Sequence, residues 1–170
     1  MDEFVPDIEG DFPVEAFRGN LGDDHYLEFR LGYLLEKQQM AIMSVALVEG
    51  ASFLEGYSGI FDLRFGIRLK SLEHEWNVTP MDYSQNANRL YIYQSDRSRV
   101  SSLLLRAVAG LVRAVVPAVI TMSTFDSELP EQALVKYRAI EACLNEAGYR
   151  TERSYRSDDG KDRWHFVAAA

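Results

Sequence analysis

Apolar and polar positions change their period several times along the chain, and each change predicts an element. Residues 61–70 alternate strictly between apolar and polar or small side chains, the pattern of a strand with one buried face. Residues 119–124 form a short β-branched run between a proline and a polar turn, which predicts an interior strand. Residues 89–94 also alternate, with Tyr91 and Tyr93 on one side, and predict another strand.

A long helix is predicted between Asp96, whose carboxylate suits an N-cap, and Pro117, which would stop it. Its polar positions follow one another at intervals of three and four residues and form one narrow stripe, in which Arg99, Arg106 and Arg113 are the charged members. The other positions are almost all apolar. This helix is therefore expected to be covered on most sides.

The last third of the chain predicts a helix and then a β-hairpin. The helix begins near residues 126–130, where acids, a serine and a proline suit a first turn, and ends at Gly148 as a C′ glycine. The sequence Asp158-Asp159-Gly160 then separates two strand-like runs, residues 149–156 and 163–168.

Two periods overlap between residues 24 and 55. Apolar residues recur there at mostly three- and four-residue intervals, which favours a helix, and this is the interpretation adopted. However, Leu27, Phe29, Leu31 and Tyr33 alternate with polar residues or glycine, which is typical of a strand. The choice between helix and strands stays open at the level of sequence.

The first 22 residues mix acids, aromatic residues, prolines and glycines without any regular period. They predict an irregular acidic N-terminal arm, followed by a single domain over residues 23–170. The fold class expected for the whole chain is α+β, with a mixed or antiparallel sheet packed on two or three helices and a C-terminal β-hairpin.

The net charge of −8 is concentrated at the N-terminus. The first 36 residues contain ten acids and two bases, so the rest of the chain is neutral. Duplex nucleic acid is therefore excluded as a probable partner, because its affinity depends on clustered Lys and Arg. No basic and apolar leader opens the chain, and both long apolar runs are too short or too charged to span a membrane, so a cytoplasmic protein is expected.

The residues that usually carry chemistry are scattered. The three histidines fall in three separate elements, and the one cysteine, Cys143, falls on the apolar side of a predicted helix. No phosphate-binding loop, dinucleotide fingerprint or nucleophile elbow is present. The sequence predicts no metal, no cofactor and no catalytic residue, and it disfavours an enzyme.

These observations predict a small protein-binding module, such as an inhibitor, an immunity or anti-defence protein, or an acidic chaperone. It would act through its acidic arm on a protein with a basic surface, or on a second copy of the chain. The candidate partner-binding residues are arm residues and the exposed arginines of the long helix: Phe4, Ile8, Asp11, Phe12, Phe17, Arg99, Arg106 and Arg113. The arginine stripe is either an ordinary exposed helix face or a dock for carboxylates.

The alternative function is an enzyme or small-molecule binder with a polar pocket that no motif reveals. Its candidate lining residues are Asp126, Glu128, His74 and the pair Tyr91 and Tyr93. Asp126 and Glu128 lie where a predicted strand passes into a helix, a place where α/β proteins often hold ligands. Helix capping is the preferred explanation of the same two carboxylates, and the sequence does not settle whether they also form a site.

Overall fold

A computed structural model describes residues 3–10, 17–18, 25–50, 59–74 and 76–170, with only the backbone described at 17–18. Eight strands and three α-helices occur in these ranges. The elements are β1 (Phe4–Pro6), β2 (Phe17–Arg18), β3 (His25–Leu34), β4 (Gln39–Glu49), β5 (Ile60–Ser71), α1 (Gln85–Tyr91), α2 (Arg97–Val115), β6 (Val119–Ser123), α3 (Val135–Glu146), β7 (Tyr149–Arg156) and β8 (Asp162–Ala168).

All the strands join one sheet in the order β1, β3, β4, β5, β6, β8, β7, with β2 pairing separately with β3. Every pair is antiparallel except β5 and β6, which run in the same direction. The long connection between these two strands contains α1 and α2, as a parallel crossover requires. The prediction of an α+β protein with a mixed sheet packed on helices is confirmed.

Helix α2 lies against β3, β4 and α3, and its buried residues fill the centre of the core. Leu103, Val108 and Leu111 are buried, whereas the three arginines of the predicted stripe are exposed. The prediction of this helix is confirmed, although the side chain of Asp96 makes no capping hydrogen bond. In the described part of the chain, no helix is long and apolar enough to span a membrane.

The helix predicted within residues 24–55 is wrong, and the alternative interpretation as strands is correct. Residues 25–34 and 39–49 form β3 and β4, joined by a turn at residues 35–38. β4 is buried on both faces, so apolar residues occupy successive positions and alternation disappears. A run without alternation can match a helical period by chance. Residues 51–55 lie outside the described part of the chain.

The strand predicted at residues 89–94 is also wrong. Its first half, residues 89–91, belongs to α1, which Ser84 caps by accepting a hydrogen bond from the backbone N–H of Ala87 at 3.2 Å. The alternation of Tyr91 with Tyr93 spans the end of the helix instead of following a strand. The local capping bond therefore outweighs the β propensity of the tyrosines.

Part of the segment predicted as an irregular arm belongs to the sheet. Residues 4–6 pair with residues 32–34 of β3, and Phe17 pairs with Tyr26. Strands of three and two residues are too short to show a period in the sequence, which explains why they were missed. The predicted boundary at residue 22 lies outside the described residues.

The C-terminal strands β7 and β8 pair in antiparallel fashion around a turn at residues 157–161. Gly160 adopts a φ of +78° in this turn, and the backbone N–H of Glu128 donates to its carbonyl at 2.7 Å. Ser127 also donates its hydroxyl to the carbonyl of Asp159 at 2.8 Å. The segment that follows β6 is therefore fixed against the β7–β8 turn, with α3 starting only at Val135.

Candidate functional site

The parallel strands β5 and β6 separate soon after they begin to pair. They are in register over residues 60–62 of β5 and 119–121 of β6, and β6 then continues beside β8. Further along β5, Ile67 exchanges two backbone hydrogen bonds with Asp82, at 3.0 and 2.8 Å. In the described ranges, residues 63–66 of β5 consequently have no strand beside them on this side.

Above this gap lies a continuous cleft formed by three adjoining cavities of about 820, 250 and 290 Å³. The first two share Arg89, Arg97 and Lys136, and the first and third share Tyr83 and Tyr137. Residues of β5, all three helices and the loop after β6 form its walls. The divergence of two parallel strands thus creates a cleft between helices and sheet that is large enough to bind a small molecule.

One end of the cleft is cationic, with Arg89 from α1, Arg97 from the start of α2 and Lys136 from α3. We call these three residues the cationic end. Among the described residues, no carboxylate oxygen lies within the 4.0 Å ion-pair distance of any of them.

Lys136 is half-buried against aromatic rings. Its Nζ lies 5.3 Å from the ring centre of Phe65 and 5.4 Å from that of Tyr137. Burial lowers the pKa of Lys136, and the negative charge of Asp126 partly opposes that effect. A partly desolvated ammonium group whose contacts are rings can still gain a direct anionic partner from a ligand.

The other end of the cleft is the cavity of about 290 Å³, which we call the Asp62 compartment; its lining includes Asp62, Arg64, Tyr83, Phe125, Tyr137 and Lys161. The carboxylate of Asp62 accepts hydrogen bonds from the Thr121 hydroxyl at 2.8 Å and from Arg64 Nε at 2.9 Å. Burial nevertheless raises the pKa of Asp62. This carboxylate is therefore a better proton acceptor than an exposed aspartate.

Tyr137 contributes the second titratable group of this compartment. Its ring stacks on Trp164, with ring centres 5.6 Å apart and an angle of 5° between the planes. Burial raises the pKa of Tyr137 to about 12. The phenol therefore keeps its proton at neutral pH and can act as a hydrogen-bond or proton donor.

The predicted partner-binding residues are not brought together. Phe4 is buried and packs edge-on against Tyr91 and Tyr93, and Ile8 packs against the same core. Asp11 and Phe12 lie outside the described residues, and Phe17 is described only as a backbone partner in β2. The remaining predicted residues, Arg99, Arg106 and Arg113, are exposed along α2.

The acids of the N-terminal segment pair with a different arginine from those predicted. The carboxylate of Asp7 lies 3.3 Å from Arg30 Nε, and that of Glu9 accepts from the Arg30 backbone N–H at 3.0 Å. Of the predicted stripe, Arg99 approaches this segment, because a Cβ added at Gly10 would lie 3.5 Å from its Nη2. Asp7 and Glu9 of the arm thus contact Arg30 of β3.

Of the alternative lining residues, Asp126 does line the cleft. Tyr91 and Tyr93 pack on Phe4 instead, and His74 stacks on the exposed ring of Trp76. Glu128 belongs to the turn contact with Gly160 described above. Among the described residues, no three His, Cys, Asp or Glu side chains are grouped closely enough to hold a metal ion.

Most of the cleft residues were missed at the level of sequence. Arg89, Arg97, Lys136, Asp62 and Tyr137 come from four separate elements, and no motif links them. The one available signal was the passage from a predicted strand into a predicted helix, and Lys136 and Tyr137 lie further along that helix. Sequence reasoning applied that signal to Asp126 and Glu128 instead.

No protein-family model matches the chain, and no curated protein matches it. Solved structures with some likeness are all N-acetyltransferases. AAC(6')-Ib in complex with paromomycin and acetyl-CoA gives a TM-score of 0.38 at 12% identity, covering 79% of this chain and 67% of that one. The aminoglycoside N-acetyltransferase AAC(6')-Ib11 gives a TM-score of 0.35 at 13% identity, covering 79% of this chain and 69% of that one. A spermidine N-acetyltransferase chimera from Vibrio cholerae gives a TM-score of 0.31 at 9% identity, covering 84% of this chain and 66% of that one.

The predicted function as an inhibitor or other protein-binding module acting through the arm is wrong. The arm prediction relied on Phe4 as an unsatisfied anchor, but this ring is part of the core. The alternative of an enzyme or small-molecule binder with a polar pocket agrees better with these findings. The predicted protein partner itself stays a prediction.

Proposed function

We propose that the protein is an enzyme that transfers an acyl group from an anionic carrier to a small acceptor. The observation that carries this proposal is the polarity of the cleft. Three cations from three helices mark one end, none of them with a carboxylate oxygen within 4.0 Å among the described residues, and a proton acceptor and a hydrogen-bond donor mark the other. A carrier with phosphate groups would place them at the cationic end, with its reactive group towards the Asp62 compartment.

Acetyl-CoA, which is bound in one of the similar structures, is the carrier to test. The residues present fit its chemistry. Arg89, Arg97 and Lys136 can bind phosphate oxygens, and the backbone of residues 63–66 is open to an extended chain that carries amide groups. When bound, such a carrier supplies an activated acyl group.

Two side chains of the Asp62 compartment can assist this transfer. Asp62 can accept the proton that an acceptor amine loses, because burial makes its carboxylate more basic. Tyr137 can donate a hydrogen bond to the leaving group, since its phenol remains protonated at neutral pH. The leaving group departs as an anion or takes a proton from water, and Asp62 returns its proton to solvent, so the site is restored after each cycle.

Calorimetric titration with acetyl-CoA tests the cationic end. Replacing Arg89 and Arg97 together by Ala should weaken binding by about tenfold or more, because two charge-assisted contacts are lost. Arg113→Ala removes an exposed charge from the last turn of α2 and serves as the control, with affinity unchanged. Equal weakening by all replacements would show nonspecific attraction. If inorganic pyrophosphate binds and acetyl-CoA does not, the carrier is wrong.

These two roles require a separate measurement. Asp62→Asn and Tyr137→Phe should each lower the rate of acyl transfer by about 100-fold or more while acetyl-CoA still binds. Both variants must keep the wild-type circular dichroism spectrum. A variant that binds the carrier and turns over at the wild-type rate would remove that residue from the proposed mechanism.

A further inference from the structure

The Asp62 compartment has an uncompensated positive charge. Arg64 and Asp62 neutralise each other through their ion pair at 2.9 Å, and this leaves Lys161. Among the described residues, no carboxylate oxygen lies within 4.0 Å of its Nζ, which instead lies 5.8 Å from the ring centre of Phe125. A polycation entering this compartment would therefore be repelled, whereas a carboxylate would gain a partner.

The walls of the compartment suit an acceptor with an apolar body. Phe125 stacks on Tyr83, with ring centres 5.5 Å apart, and Tyr137 closes the side towards α3. The volume of about 290 Å³ can hold a molecule of amino-acid size. Asp62 provides the negative charge within the compartment, and each of its oxygens already accepts one hydrogen bond and can accept another.

We propose that the acceptor taken by the Asp62 compartment is a small aminocarboxylate, with its carboxylate on Lys161 and its amine towards Asp62. This inference rests on the proposed function and names its second substrate class. It predicts charge selectivity of a definite kind. A zwitterion of amino-acid size should bind, and a polyamine without a carboxylate should not.

The test is calorimetric binding of L-phenylalanine, L-phenylalaninamide and spermidine to the full chain without any acyl donor. The amide has the same ring and amine but no carboxylate. L-phenylalanine should bind about tenfold or more tightly than the amide, and spermidine should show no binding. Equal affinity for acid and amide, preference for spermidine, or no binding of L-phenylalanine would overturn the inference.

Two variants locate the effect. Lys161→Met keeps an unbranched side chain of similar length and removes the charge, so the acid should bind no better than the amide. Lys37→Met removes one charge from the turn between β3 and β4 and should keep the preference. These titrations contain no acetyl-CoA, so the two proposals can fail separately. If L-phenylalanine shows no preference over its amide while acetyl-CoA still binds in its own titration, the aminocarboxylate alone is rejected. Loss of acetyl-CoA binding with the preference intact rejects the acyl carrier alone.

Discussion

Two lysines in the cleft contact aromatic rings, and among the described residues neither has a carboxylate oxygen within 4.0 Å. Lys136 lies over Phe65 and Tyr137, and Lys161 lies over Phe125. Each contact recovers only part of the hydration that a half-buried ammonium group loses. The sequence could not predict these lysine–ring contacts, because tertiary structure decides whether an acid or an aromatic ring lies beside a lysine.

Glu28 on β3 provides a pH prediction at the same scale. Burial raises the pKa of Glu28, and the nearby charges of Lys70 and Arg68 lower it by less. A carboxyl whose folded-state pKa is raised stabilises the fold below its unfolded pKa and loses that contribution as pH rises. The stability of wild type relative to Glu28→Gln should therefore fall between about pH 4 and pH 7.

Urea unfolding of both proteins across this pH range measures that difference. Glu36→Gln, in the exposed turn after β3, is the control for removing one acid from the chain. A difference that rises with pH at position 28 would contradict the prediction. The same slope for both variants would show that burial of Glu28 is not its cause.

At the scale of elements, the sequence predicted the strands and helices that bury one face, because one buried face gives a regular pattern of apolar and polar residues. β5 faces helices on one side and polar surroundings on the other, so its alternation is preserved, and α2 keeps a regular polar stripe. β4 fails this condition because Ile42 and Ala46 are buried as well as Met43 and Val45. β1 fails it because three residues cannot display a period.

The short strand β1 should matter to stability despite its length. Phe4 is only 8% exposed, and its ring contacts the rings of Tyr91 and Tyr93. The Tyr93 hydroxyl also donates a hydrogen bond to the backbone carbonyl of Phe4 at 3.0 Å. Phe4→Ala should lower the free energy of unfolding by about 3 to 5 kcal/mol, because the cavity left in the core is not refilled.

Denaturant unfolding measures this loss, and the neighbouring residue provides the control. Val5 points outward from the same strand and is 40% exposed, so Val5→Ala should cost about 0.5 kcal/mol. If both variants lose the same small amount, β1 is a dispensable edge and the N-terminal segment does not contribute to the core.

At the scale of the whole molecule, the candidate site is a product of topology. Its cations come from α1, α2 and α3. The crossover between the two parallel strands contains α1 and α2, and α3 follows β6, so all three helices reach the point where the strands separate. Sequence patterns identify faces of single elements. They do not give the order of strands in a sheet, so the cleft could not be predicted even where its elements were.

Hydrogen exchange with and without acetyl-CoA tests the cleft as a unit. Saturating ligand should slow exchange in residues 63–66 of β5 and in the first turn of α2, which contribute to the same cleft from opposite walls. The outer strand β7 lies away from the cleft and serves as the internal control. Protection spread equally over the sheet would indicate general stabilisation and no localised site.

The gap beside residues 63–66 also bears on how the protein avoids aggregation. Open strand edges can recruit strands from other molecules, and natural sheets shorten, bend or cover them. Here the outer strand β1 has three residues and contains Pro6, and β7 is interrupted by a bulge between Thr151 and Arg153. Among the described residues, the stretch of β5 at residues 63–66 that has no strand beside it lies inside a cleft. Another protein chain would have to enter that cleft to pair with it, so the edge is accessible to small molecules and protected from self-association.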